Sequence, residues 1–470
     1  MKKHNINNEK RTEDSKPRTA DREKRMAIPY GRQNITDEDI QAVVEVLKSD
    51  YLTQGPEIPK LENVFAEYVG SKYAVAVSNG TAALHLNTLA LGVKPGDKVI
   101  TTPITFAASA NCVRYCGGDV IFADIDPETY LLDINKVREL LEADTKKEIK
   151  VIIPVDFAGR AVDLEAFRTL ADEFGCWIIQ DSCHSPGGFF IDSKGGKQNC
   201  GNGNFADLAI FSFHPVKHIA AGEGGMITTN NEELYQKLLM LRTHGITKDS
   251  NKFKNNIDFA IGEQITGNSE QKKKDVINKD TVHSSQFTVY PNWYMEMQNL
   301  GYNYRLTDFQ AALAQSQLKR ADQGLARRRE IAAGYNDAFK NIPQVTDRNF
   351  EAAKSEQKTS NNSPLTVHRS HQNGHAYHLY VIEVENRLGL YNHLRKHRIF
   401  AQIHYIPCHF MPYYQEQGWK EGDFPNAEHY YSGCISLPMF PTLTEEEQEF
   451  VIKTIKIFYD GNIENRKTNS

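Results

Sequence analysis

Apolar and polar positions change period several times along the chain. Thr36 followed by Asp39, with Ile40, Val43, Val44 and Leu47 on one stripe, predicts a capped helix. Leu61, Val64, Phe65 and Tyr68 repeat that spacing, and Gly70 supplies a stop. Beyond it, short apolar runs at Ala74–Val77, Val99–Thr101, Val120–Phe122, Val151–Ile153 and Trp177–Ile179 are separated by helix-period stretches. Such alternation predicts an α/β core, a mostly parallel sheet with crossover helices, to about residue 245.

Two polar stretches rich in Asn, Lys, Ser and Gln, about 248–288 and 351–375, interrupt this pattern and read as surface insertions. Asp308–Ala333 has helical period, Tyr377–Val384 reads as a strand, and Arg387–Lys396 and Glu445–Phe458 read as helices. Residues 1–25 hold almost no apolar side chain and predict a disordered tail, with Met26 a possible alternative start to Met1. The expected organisation is that tail, a large α/β domain over 26–290 carrying the first insertion, and 291–470 as an interface helix region plus a small C-terminal α+β domain carrying the second. No internal repeat is seen.

Composition excludes several classes. With 55 Lys+Arg against 60 Asp+Glu the net charge is -5, which gives no basic field for nucleic acid. No apolar run reaches the roughly eighteen residues a membrane span needs, and the N-terminus is polar, so a cytoplasmic protein is expected. Seven scattered cysteines without a CxxC pair predict neither a disulfide framework nor a metal site.

Three places carry chemistry. Lys217 lies in Phe211-Ser212-Phe213-His214-Pro215-Val216-Lys217, ahead of Ala221-Gly222-Glu223-Gly224-Gly225. An amine in such apolar company is either a snorkelling surface charge or a desolvated nucleophile able to form a Schiff base. Asp181 ends the apolar run Trp177–Ile179, where open sheets bind ligands; it would either cap a helix or hold a protonated pyridine nitrogen. Ser78-Asn79-Gly80-Thr81-Ala82 joins strand to helix, and amides there receive phosphate. Neither GxGxxG between strand and helix nor GxxxxGK[ST] is present. Phe106 is either core or a stacker on a planar ring. His214 serves equally as a structural or a catalytic imidazole.

Phosphate turn, aromatic, carboxylate, hydroxyl and lysine in this order form the toolkit of a pyridoxal phosphate enzyme. From Ile28 to the C-terminus the chain resembles the DegT-type sugar aminotransferases of fold type I. Ile28-Pro29-Tyr30-Gly31-Arg32-Gln33, Asp50-Tyr51-Leu52-Thr53-Gln54-Gly55-Pro56 and Ser212–Lys217 look most like the branch serving pseudaminic acid synthesis, which aminates a UDP-linked 4-keto-6-deoxy-N-acetyl sugar. The resemblance implies pyridoxal 5'-phosphate anchored on Lys217, with Asp181 on the ring nitrogen and His184 near the phenolic oxygen. It also implies that Gly80, Thr81 and Ser212 hold the phosphate and Phe106 covers the ring. Gly301-Tyr302-Asn303-Tyr304-Arg305 matches a stretch whose asparagine reaches the neighbouring subunit's site, implying a homodimer with shared active sites. The sugar nucleotide would meet Tyr30, Asp50, Tyr51, Leu52, Thr53, Gln402, Ile403, His404 and Tyr405, with L-glutamate as amino donor. Ala220-Ala221-Gly222 departs from the threonines that the nearest relatives tend to have there.

Three rivals are weighed. A sugar dehydratase of the same family would carry histidine at the anchor position. A non-catalytic cofactor-binding regulator could keep Lys217 and Asp181 without turnover. A metal enzyme would need His371, His375, His404 and His409, whose spacing is poor.

Overall fold

The computed structural model describes residues 27–255, 290, 292–340, 342, 345–346 and 374–468. The predicted tail, most of both insertions and His371 lie outside the described residues. The centre is a seven-stranded sheet built from β1 (Tyr73–Val77), β2 (Lys98–Thr101), β3 (Asp119–Phe122), β4 (Ile149–Ile153), β5 (Trp177–Asp181), β6 (Leu208–Ser212) and β7 (Gly225–Thr229). Their spatial order is β1-β7-β6-β5-β4-β2-β3. Only β7 runs antiparallel, between β1 and β6, while β6, β5, β4, β2 and β3 pair in parallel. The runs read from the sequence become β1 to β5. The sequence pattern does not mark 208–212 or 225–229 as strands: β7 opens on glycine and closes on two threonines, with only Met226 and Ile227 apolar.

Among the helices, α1 (Asp37–Leu47) starts on Thr36 with the capping box expected from Asp39, and α2 (Glu57–Val69) ends at Gly70, whose φ is 88°. The predicted stripe on α1 does not enter the core: Ile40 and Leu47 are 54% and 57% exposed. Next, α3 (Gly80–Ala90) follows β1 directly. The single helix expected over 308–333 is two, α4 (Asp308–Leu318) and α5 (Ala321–Phe339), broken where Arg320 leaves helical backbone.

A second, antiparallel sheet contains β8 (Tyr380–Val384) and β9 (Cys434–Leu437), and packs with α5 and the C-terminal helix around Tyr335, Tyr380, Ile435, Val451 and Ile455. Ile28–Pro29 pairs with Ile399–Phe400 and Ile28 joins this second core, so the segment placed with the large domain by sequence is tied to the small one. No described helix is long and apolar enough to cross a membrane, and all seven cysteines are free.

Candidate active site

The carboxyl ends of the parallel strands open into a cavity of ≈ 540 Å³. Register explains why these residues converge. Because β7 is antiparallel, its first residue, Gly225, lies opposite Val77 at the end of β1 and Ser212 at the end of β6. A Cβ on Gly225 would lie 2.7 Å from the Asn79 carbonyl, so glycine there lets the turn after β1 settle against the sheet. Asn79 caps α3 through the amide of Ala82. The first amides of a helix have no intrahelical acceptor, which leaves those of Gly80 and Thr81, both on the cavity wall, free to meet an anion.

Asp181 ends β5 and is 5% exposed. Ser109 Oγ donates to its Oδ2 at 2.7 Å and the Cys183 amide donates to its Oδ1 at 3.1 Å. These two donors fix the orientation of the carboxylate. Lys217 shares the cavity. Burial lowers its pKa, with Arg328 pushing the same way and Cys183 and Asp181 opposing. A desolvated amine loses its proton more easily and gains nucleophilicity.

The small unit supplies the opposite wall. Gly159, at φ 99°, accepts the Ala376 amide at 2.7 Å, and a Cβ on it would lie within 2.9 Å of the amides of Tyr377 and His378. That close approach brings His378 Nε2 to 3.4 Å from Lys217 Nζ. Tyr405 Oη and His184 Nε2 are 3.2 Å apart, and His404 Nδ1 is 2.9 Å from Ser436 Oγ. Burial holds His184 and His378 well below the ordinary imidazole range, with Lys217 adding to it. Burial lowers His404 to about 3, so all three rings are neutral at physiological pH.

Of the residues selected from sequence, Tyr30, Gly80, Thr81, Phe106, Asp181, His184, Ser212, His214, Lys217, His404 and Tyr405 line this cavity. Asp50, Tyr51, Leu52, Thr53, Asn303, Gln402 and Ile403 do not line the cavity of their own chain. Asn303 is exposed and bridges Thr243, Leu52 accepts the Asp308 amide, and Gln402 pairs with Ser436. Sequence reasoning missed Ser109, Cys183 and His378. Ser109 stands 72 positions from the carboxylate it serves and His378 161 positions from the lysine. Neither spacing leaves a local trace, although a histidine at the mouth of an apolar strand is a weak signal.

The residues fit pyridoxal 5'-phosphate. An amine, a fixed carboxylate, a helix start with unsatisfied amides and an exposed aromatic answer its aldehyde, ring nitrogen, phosphate and ring face. His184 Nδ1 is buried without a partner, as expected beside a polar ligand.

Comparison with known proteins agrees. The spore coat polysaccharide biosynthesis protein SpsC of Bacillus subtilis is 35% identical over 443 residues, covering 92% of this chain and 97% of its own. The Streptococcus pneumoniae protein Spr1654 in its PMP form superposes with a TM-score of 0.73 at 27% identity, covering 94% of this chain and 100% of that one. Helicobacter pylori PseC, an aminotransferase involved in the biosynthesis of pseudoaminic acid, gives 0.71 at 27% identity over 93% and 100%. Residues 33–456 match one family throughout, and the chain belongs to it: it is a pyridoxal phosphate-dependent aminotransferase of the DegT/DnrJ/EryC1/StrS family.

Proposed function

We propose that the protein transfers the amino group of L-glutamate to the C4 ketone of a UDP-linked 4-keto-6-deoxy-N-acetyl-hexose, UDP-2-acetamido-2,6-dideoxy-β-L-arabino-hexos-4-ulose. The product would be UDP-4-amino-4,6-dideoxy-N-acetyl-β-L-altrosamine, on the route to pseudaminic acid. The observation that carries the amino-transfer chemistry is Lys217 in one cavity with the clamped carboxylate of Asp181 and the open start of α3. The sugar rests on the motif resemblance and on the likeness to PseC.

The bound cofactor supplies an electron sink for the carbon that loses its proton. Lys217 would anchor it through Nζ, and the same nitrogen, when free, would take up and return the proton of the donor carbon. Asp181, held by Ser109 and the Cys183 amide, keeps the ring nitrogen protonated. Gly80, Thr81 and Ser212 bind the phosphate. Phe106, 63% exposed above the cavity, shields the ring from water. Tyr30, His404 and Tyr405 face the sugar, and neutral His404 accepts or donates hydrogen bonds without bringing charge.

The working unit in this reading is a homodimer. Two features support this: Asn303 is exposed and outside its own cavity, and Ile40 and Leu47 of α1, with Tyr51 and Leu52, are exposed on a single chain. We place the enzyme in the cytoplasm, where nucleotide sugars are made.

A second reading has its own support: SpsC is more alike in sequence than PseC, which favours another nucleotide-linked 4-keto sugar with the same chemistry. Incubating the protein with L-glutamate and a panel of 4-keto-6-deoxy sugar nucleotides, and identifying the amine at C4 by mass and NMR, separates the two. Turnover of the UDP-linked N-acetyl sugar is expected. Turnover of another panel member alone would move the assignment to the second reading, and no turnover at all would end both.

A further inference from the structure

Lys217 also lines a second cavity, of ≈ 210 Å³, together with Arg32, His218, Arg320, Arg327 and Arg328. Among the described residues, none that lines it is a carboxylate. Some of these charges are already answered. Arg320 pairs with buried Asp39, and Arg327 reaches Glu330 at 2.9 Å and the Leu443 carbonyl at 3.1 Å. Two are not. Arg32 sits 5.3 Å over the Phe440 ring and has no carboxylate partner among the described residues. Arg328 is 2% exposed, and its Nη1 is committed to the carbonyls of Tyr377, His378 and Met439 at 3.1, 3.4 and 2.9 Å. Its Nε is buried with no partner among the described residues. A guanidinium taken out of water without a counter-charge is costly, and its neighbours register the excess. After burial itself, Arg328 is among the causes that lower the pKa of Lys217, His218 and His378.

We propose that this cavity is a binding site for a small oxyanion, a carboxylate or phosphate, held by the Arg32 guanidinium and by Arg328 Nε. Guanidinium is the side chain best suited to such groups, because its planar fork matches their oxygens. His218 adds no donor, since neutral imidazole has one N–H and its Nε2 faces the Ala376 carbonyl at 2.9 Å. The volume suits an anion of a few heavy atoms, far smaller than a sugar nucleotide. Two sources share this chemistry. One is the distal carboxylate of a dicarboxylic amino donor, whose reacting end would meet Lys217 on the wall common to both cavities. The other is free inorganic phosphate. The first rests on the amino-transfer reading above; the second does not.

The test compares the holoenzyme with Arg32→Gln and Arg32→Lys. Arg32 is exposed, so its replacement spares the core. If the donor carboxylate occupies the cavity, Arg32→Gln raises KM for L-glutamate by about tenfold, the effect of one charge-assisted hydrogen bond, with a smaller change in kcat. Arg32→Lys should recover part of the loss. If free phosphate occupies it, inorganic phosphate raises the thermal midpoint of the wild type and this gain disappears in Arg32→Gln. An unchanged KM together with an unchanged phosphate response would overturn the proposal. Should wild type fail to react with L-glutamate at all, the amino-transfer reading falls, while the phosphate measurement still decides the cavity.

Discussion

The two walls of the main cavity are built differently. On the sheet wall, Gly80, Asp181, Ser212 and Lys217 stand at or just beyond strand ends, where the pairing of β1, β7, β6 and β5 sets their backbone. On the other wall, His378, His404 and Tyr405 come from loops of a unit with its own core. They are placed by side chains reaching across: Arg328 to the carbonyls of residues 377 and 378, Tyr430 Oη to the His404 carbonyl at 2.6 Å, and Ser436 to the His404 ring. Groups that move protons and hold the cofactor need a fixed backbone, whereas groups that recognise a variable sugar can ride on loops. Substitutions on the sheet wall should therefore act on the chemical step, and those on the loop wall on binding.

The largest effect belongs to Lys217→Ala, which under the proposed mechanism removes anchor and proton carrier together. A loss in kcat of about 10⁴-fold or more is expected, with disappearance of the visible band of the bound cofactor. A band that persists would take Lys217 out of this role. Asp181→Asn keeps the shape and removes the charge, so kcat should fall by about 10²–10³-fold while the protein stays folded. Ser109→Ala tests whether the clamp matters as well as the charge; losing one hydrogen bond to a charged group should cost about tenfold in kcat. On the loop wall Tyr405→Phe removes only the hydroxyl 3.2 Å from His184 Nε2. It should change KM for the sugar nucleotide by about threefold to tenfold and leave kcat nearly as it was. A kcat loss here as large as that of Asp181→Asn would erase the distinction between the walls.

The same contrast explains what could be read in the sequence. β1 to β5 announced themselves as apolar runs, Asp181 and Gly80 as polar or small residues placed where such runs end, and Lys217 as a lone amine in apolar and small-residue company. Those are local signals, because a strand end is a local property. β7, Gly-Met-Ile-Thr-Thr, holds only two apolar residues and so shows no apolar run, and β6 leads straight into the lysine segment without a turn signal to mark its end. On the loop wall the placing interactions join positions far apart, such as Gly159 with 376–378 and Arg328 with Met439, and no local pattern encodes them. The stripe on α1 was legible as amphipathic, but which surface it meets was not: its ends, Ile40 and Leu47, are exposed on the single chain.

The mildest way to set the two sides against each other is pH. Beneath the sheet wall, Asp156 is fully buried, accepting from Gln180, Ser182, Ser185 and the Val162 amide. Burial nonetheless raises its pKa from 3.8 to about 6. A folded-state pKa above the unfolded one gives stability that is complete below about pH 4 and is lost as pH rises through about 6. The buried imidazoles around the cavity, on both walls, respond in the opposite sense. His404 is lowered to about 3, and His184, His218, His375 and His378 well below 6.5, burial being the first cause in each. Their contribution is present above pH 6.5 and is lost as pH falls toward the folded values, at about 1.4 kcal/mol per pH unit for each ring. Five rings against one carboxylate decide the sign between pH 6.5 and 5: the protein should lose stability on acidification, with a thermal midpoint lower at pH 5 than at pH 7. His375→Gln, which replaces a ring outside the main cavity, should make that decline shallower while leaving amino transfer measurable at pH 7. A midpoint that is level or rises on acidification would mean that the rings are charged in the folded protein, and His378 and His404 would then make the loop wall a charged surface rather than a neutral one.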